Sequence, residues 1–258
     1  LPFLKKSGLH LHYEIYGKGT PLVFIHPPVM GSETFRYQKE LSQYYQLIYV
    51  DLVDSGRSTK RVEETSVSRQ AEMVHALIQK LKLPPVVVCG YSNGGSIAQE
   101  FALRFPEKTR GVILIGGFPE VSTFLLGREF DLGIWAAKNE WLPLFSYVLP
   151  AAHFRSKQHQ KEMAHFIKQA DAKTLQTIYT EGKQYVSTDR LNQLSVPVLL
   201  IYGENDIVAR PYIKMFYQQV QDLQVVLVSG VAHQVPTKRP AQCNEIIKGW
   251  MTRKQLDH

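Results

Sequence analysis

Short apolar runs alternate along the chain with stretches whose apolar positions recur every three or four residues. Leu9, Leu11, Tyr13 and Ile15 alternate with polar neighbours, which predicts a half-buried antiparallel strand over 9–16. Leu22-Val-Phe-Ile25 and Leu47-Ile-Tyr-Val50 are continuous apolar runs, as strands covered on both faces require. Val74, Leu77, Ile78 and Leu81 fall at i, i+3, i+4 and i+7, one face of a helix over 68–83 that Pro84-Pro85 ends. A strand over 86–89, a turn over 90–94 and a helix to Phe105, stopped by Pro106, come next. The series closes with strands over 112–115, 198–202 and 225–228 and helices over 212–220 and 241–250. Such alternation predicts an α/β fold: a mostly parallel sheet with helices on both faces.

Residues 118–190 break this rhythm. They hold no strong strand, and they are rich in aromatic side chains, among them Trp135, Trp141, Phe145, Tyr147, Phe154 and Phe166. Ligands of such folds bind outside the carboxyl ends of the strands. The segment is therefore expected to form a helical cap, with 1–117 and 191–258 as the core. The alternative is a set of packing helices with no substrate contact.

Composition narrows the class. The 258 residues suffice for one large core, and 44% hydrophobic against 21% charged residues is the balance of a folded protein. No apolar run approaches the ~20 residues of a membrane helix. The first residues, Leu1-Pro-Phe-Leu-Lys-Lys6, lack the charged-then-apolar order of a signal peptide. The chain also lacks a starting Met, as a trimmed one would. Cys89 and Cys243 read as buried thiols in a reducing, cytoplasmic setting, since a disulfide scaffold uses more. Net charge is +7, but the excess is spread thinly: 14 basic and 10 acidic residues in 1–119, 9 and 8 in 120–190, 7 and 5 in 191–258. No basic block interleaves with aromatics, so neither nucleic acid nor membrane is expected as a partner.

Gly90-Tyr-Ser-Asn-Gly94 fits G-x-S-x-G, between an apolar strand and a helix. A turn that tight strains the middle serine and pushes its hydroxyl out of the sheet, while side chains two positions either side would collide. Ser92 is thus the candidate nucleophile. Serine needs a base, and the base needs an orienting carboxylate, in the chain order Ser, acid, His. Asp206 follows the strand 198–202, and His233 lies in the loop after the strand 225–228. Of the nine histidines, His233 alone has both the order and the strand-end position. His153, His159 and His165 form no His-x-x-x-His pair, so no metal is expected.

These stretches resemble the α/β-hydrolase superfamily. So do Ile25-His-Pro-Pro-Val-Met-Gly-Ser32, similar to its His-Gly loop, and Asp51-Leu-Val-Asp-Ser-Gly-Arg-Ser58, similar to its D-x-x-x-x-G-x-S loop. The resemblance implies an eight-stranded sheet with a cap after strand six, a Ser92–Asp206–His233 triad and no cofactor. It also implies an oxyanion hole, with the Asn93 backbone N–H as one donor. Where relatives have His-Gly-x, this chain has His26-Pro27-Pro28, and proline carries no N–H. Val29 is then the candidate second donor, and His26 a structural partner of the loop. Met30, Tyr91 and Phe118 are expected to line a substrate pocket.

The expected activity is hydrolysis of a small or medium acyl ester through an acyl-enzyme, as a carboxylesterase does. C–C bond hydrolysis and cofactor-free perhydrolase or haloperoxidase chemistry would use the same triad. A weakly catalytic ligand receptor is the non-enzymatic alternative, which the proline loop favours. Acyl groups on an acidic carrier protein are a further option, though the cap is nearly neutral.

Overall fold

The computed structural model describes residues 2–6 and 8–257. Among them, eight strands form one sheet: β1 (Phe3–Lys6), β2 (Leu9–Tyr16), β3 (Pro21–Ile25), β4 (Gln46–Val50), β5 (Val86–Tyr91), β6 (Thr109–Ile115), β7 (Val198–Gly203) and β8 (Leu223–Val228). Their spatial order is β1-β2-β4-β3-β5-β6-β7-β8. The β1–β2 and β2–β4 pairings are antiparallel, and every pairing from β4 across to β8 is parallel. The connections hold α1 (Val67–Lys80), α2 (Gly94–Arg104), α3 (Phe124–Lys138), α4 (Leu142–His153), α5 (Lys157–Ile167), α6 (Ala172–Gln184), α7 (Ile213–Gln219), α8 (Val235–Lys238) and α9 (Pro240–Arg253).

Continuous apolar runs make central strands because successive side chains feed opposite faces. Val86, Val88, Leu114 and Leu200 enter one core, closed by Leu77 of α1, Phe101 of α2 and Phe216 of α7. Val87, Cys89, Ile113 and Ile201 enter the other, closed by Phe35 of the 3-10 segment Ser32–Gln43 and by Ile247 and Trp250 of α9. Each fully buried Val, Leu or Ile stabilises the fold by roughly 1.5–3 kcal/mol. Cys89 and Cys243 are both free and buried. Among the described residues no helix is long and apolar enough to cross a membrane.

Three details differ from the pattern-based expectation. The pattern does not predict β1, which is four residues long and buries only Leu4. In β2 the alternation fails, with His12 1% and Ile15 39% exposed. His12 is inside because its Nδ1 hydrogen-bonds the buried Asp51 carboxylate at 3.0 Å. α1 stops before Pro84-Pro85, where Lys82 takes a left-handed φ of 53°.

The segment 118–190 leaves the sheet at the carboxyl end of β6 and contributes α3 to α6 before β7. Its apolar interior (Ala137, Phe154, Met163, Ile167, Leu175) is continuous with Val29 and Met30 of the loop after β3. These helices therefore sit over the sheet edge where β5 ends.

Candidate active site

β5 ends at Tyr91 and α2 begins at Gly94, which leaves Ser92 and Asn93 to make the connection. Ser92 takes φ +53°, a conformation that residues other than glycine rarely adopt. Its amide donates to the Ile115 carbonyl at 2.9 Å, and its carbonyl accepts from the Gly95 amide at 2.8 Å. The flanking glycines are demanded by space. A Cβ at Gly90 would stand 2.5 Å from the Gly94 carbonyl oxygen, and one at Gly94 would stand 2.3 Å from the Ile25 carbonyl oxygen. The turn delivers Ser92 to a cavity of about 130 Å³ that His233 also lines.

Asp206 and His233 come from separate strand ends. Asp206 lies in the turn after β7, where its amide donates to the Gly203 carbonyl at 3.1 Å. Its Oδ1 accepts the amides of Val208 (3.1 Å) and Ala209 (2.9 Å). Its Oδ2 accepts from His233 Nδ1 at 2.7 Å. Burial pushes the Asp206 carboxyl up, but the His233 bond and charge and the two amides outweigh it, so it titrates below the ordinary aspartate value. For His233 burial acts downward and is outweighed by the Asp206 bond and charge, so the imidazole titrates above its ordinary value of 6.5. Donation from Nδ1 leaves the lone pair on Nε2. Ser92 and His233 share the cavity without a hydrogen bond between them, and such contacts often tighten only with substrate bound. Glu204 takes no part in that pair. Its Oε2 accepts from Ser229 Oγ at 2.8 Å, tying the β7 turn to the His233 loop.

The loop after β3 carries His26, Pro27, Pro28 and Val29. His26 Nδ1–H donates to the Pro27 carbonyl at 2.7 Å and Nε2 accepts the Leu52 amide at 2.9 Å, so the ring clamps this loop to the segment after β4. Val29 takes φ +59°, rare for a β-branched residue, inside a tight turn closed by the Met30 amide on the Pro28 carbonyl at 2.9 Å. Val29 does not line the cavity; its side chain is buried beneath the insertion, and Pro27 and Pro28 occupy the wall instead. Pro27 and Pro28 carry no N–H, the Met30 amide is spent on the Pro28 carbonyl, and among the described residues no acceptor takes the Val29 amide. Asn93 does line the cavity, and among the described residues no acceptor takes its amide.

Met30 and Tyr91 line the cavity, and Phe118 does not. Phe118 is buried against Phe130 and Tyr212, and its carbonyl accepts from Gln99 Nε2 at 3.0 Å, which holds it a layer below the wall. Its packing neighbour Phe130 of α3 does line the cavity. Sequence reasoning also missed Glu129 of α3, His153 of α4 and Tyr179 of α6, all three on the wall. No local pattern marks them, because helix packing inside the insertion brings them there. Tyr91 O–H donates to His153 Nε2 at 3.0 Å, while His153 Nδ1–H donates to the Leu149 carbonyl at 2.9 Å. Burial pushes the His153 imidazole down to about 4, so it is neutral at physiological pH. The Tyr91 ring also lies 5.3 Å from that of His233. Among the described residues no group of three or more His, Cys, Asp or Glu side chains is arranged to hold a metal ion.

The profile of the alpha/beta hydrolase fold matches residues 20–168. The chain is 25% identical over 266 residues to a putative carbamate hydrolase, RutD, of Azorhizobium caulinodans, covering 97% of this chain and 98% of that one. It is 27% identical over 248 residues to a pimeloyl-[acyl-carrier protein] methyl ester esterase of Nitrosospira multiformis, covering 86% and 91%. The solved esterase EaEST of Exiguobacterium antarcticum superposes with a TM-score of 0.86 at 20% identity, over 97% and 98% of the two chains.

Proposed function

Because the chain belongs to the alpha/beta hydrolase fold family, we propose that it is a serine hydrolase that cleaves a small or medium carboxylic ester through an acyl-enzyme. One observation carries this reading: Ser92, held in a left-handed turn, shares a small cavity with the imidazole of the His233–Asp206 pair. Ser92 Oγ attacks the ester carbonyl, and His233 Nε2 takes its proton and returns it to the leaving oxygen. Asp206 stays ionised throughout, holding Nδ1–H and stabilising the imidazolium. Water then enters by the reverse of these proton transfers and releases the acid. The two named relatives, an ester hydrolase and a putative carbamate hydrolase, support acyl transfer to water as the reaction class.

The Asn93 amide serves as the oxyanion donor on the nucleophile side. On the opposite side Pro27 and Pro28 supply none, and the Val29 amide, which no acceptor takes among the described residues, serves as the second donor. Loss of one such donor slows turnover by ~10²–10³-fold. Residues 118–190 act as the cap: Leu126, Phe130, Leu149 and Tyr179 from it form the apolar wall and limit the substrate's size.

A series of p-nitrophenyl esters from acetate to octanoate tests the reading. Hydrolysis is expected to favour the shorter chains and to fall at least ~10³-fold in Ser92→Ala. Turnover that persists in Ser92→Ala, or an inert wild-type protein, contradicts it.

A further inference from the structure

Glu129 is the one carboxylate on a wall that is otherwise apolar and aromatic apart from Ser92, Asn93, His153, His233 and Gln234. α3 presents Leu126, Glu129 and Phe130 to it, the i, i+3, i+4 positions of one helix face. Among the described residues Glu129 has no hydrogen-bond or ion-pair partner. The nearby cation on α6, Lys183, is engaged elsewhere, 2.5 Å from Asp131. Arg128 and Asp131 line a separate groove with Leu132 and Trp135, on another side of α3. No lysine or arginine lines the catalytic cavity. Lys238 acts on His153 but forms no part of the wall. The rings of Tyr91, Phe130 and Tyr179 line the same cavity, the last two edge to face with centroids 6.0 Å apart, and the Glu129 charge acts on both tyrosines.

Glu129 is an exposed residue of a cavity that also holds aromatic rings, a combination that attracts an ammonium by charge and ring quadrupole and repels a carboxylate. The field of Glu129 reaches His233, where it favours the imidazolium. His233 gives its proton to the leaving oxygen, so the part of the substrate beside His233 and Glu129 is the alcohol portion.

We propose that Glu129 makes this site selective for esters whose alcohol portion carries an ammonium group a few atoms from the ester oxygen. The inference rests on the serine-hydrolase reading and adds a substrate class to it.

Three thioesters with one acyl group separate charge from shape: S-butyrylthiocholine, its neutral isostere S-(3,3-dimethylbutyl) thiobutyrate, and the anionic S-butyryl-3-mercaptopropionate. Thiol release gives kcat/KM for each with the wild type, Glu129→Gln and Arg128→Gln. The wild type is expected to prefer the cation over the neutral ester by about tenfold and to use the anion least. In Glu129→Gln the cation-to-neutral ratio falls by roughly five- to tenfold and the anion gains. In Arg128→Gln the ratio stays within about twofold, since that side chain faces another groove. An equal ratio in the wild type and Glu129→Gln, or a wild-type preference for the neutral or anionic ester, overturns the proposal. If p-nitrophenyl butyrate is still hydrolysed in a Ser92-dependent way, the hydrolase reading survives that failure. If no ester is turned over, both fall.

Discussion

In the proposed mechanism His233 must be neutral before it can take a proton from Ser92. Burial alone would make that easy by lowering its affinity for the proton, but the Asp206 carboxylate at 2.7 Å reverses the sign. kcat/KM is therefore expected to rise with pH through an apparent ionisation above 6.5. Asp206→Asn removes the charge that raises the imidazole and the acceptor that fixes its tautomer. The variant should lose ~10³–10⁴-fold in kcat, and its residual activity should titrate at lower pH. A pH–rate profile with p-nitrophenyl butyrate reads both, and a limb that stays in place in Asp206→Asn contradicts the assignment. That Ser92, Asp206 and His233 meet at one sheet edge was legible in the sequence because each follows an apolar strand in a short turn, and strand ends converge. Glu129 and His153 were not, because nothing local to them says which way α3 and α4 face. Phe118 was misread for a related reason. It follows β6 closely, but the Gln99 bond to its carbonyl draws it below the wall that Phe130 occupies.

Between elements, a buried hydrogen bond joins α4 to β5. Tyr91, the last residue of β5, is 1% exposed, and its hydroxyl has His153 as its acceptor. Removing one partner strands the other in an apolar setting at a cost of about 1–3 kcal/mol, whereas replacing both with apolar groups of similar shape is nearly neutral. Tyr91→Phe and His153→Leu should each lower stability. The double variant should be less destabilised than the sum, by at least ~0.5 kcal/mol in urea denaturation. Strictly additive costs would mean that the bond does not hold the insertion down. Elements with a strong period were readable from the chain: the central strands, α1, α2 and the helical insertion. β1 escaped because a short edge strand with a single buried residue has no period to detect. The inward turn of His12 escaped because its cause, Asp51, lies at the end of another strand.

Across the whole molecule, the parallel sheet brings residues that follow β5, β7 and β8 to one edge, and helices of the insertion lie over that edge. The fold class was legible because alternating strands and helices leave few topologies. The contents of the insertion were not, since a cap's inner wall is set by packing between helices that share no repeat. The overall charge of +7 is spread across the chain, whereas the one ionisable carboxylate on the cavity wall is Glu129. The proposed chemistry requires that this arrangement make one serine nucleophilic. Intact-mass measurement after treatment with a fluorophosphonate reads that property without any choice of substrate. One adduct per chain is expected, located on Ser92, absent in Ser92→Ala and formed far more slowly in His233→Ala. No adduct on the folded wild type, or an adduct that persists in Ser92→Ala, would contradict it.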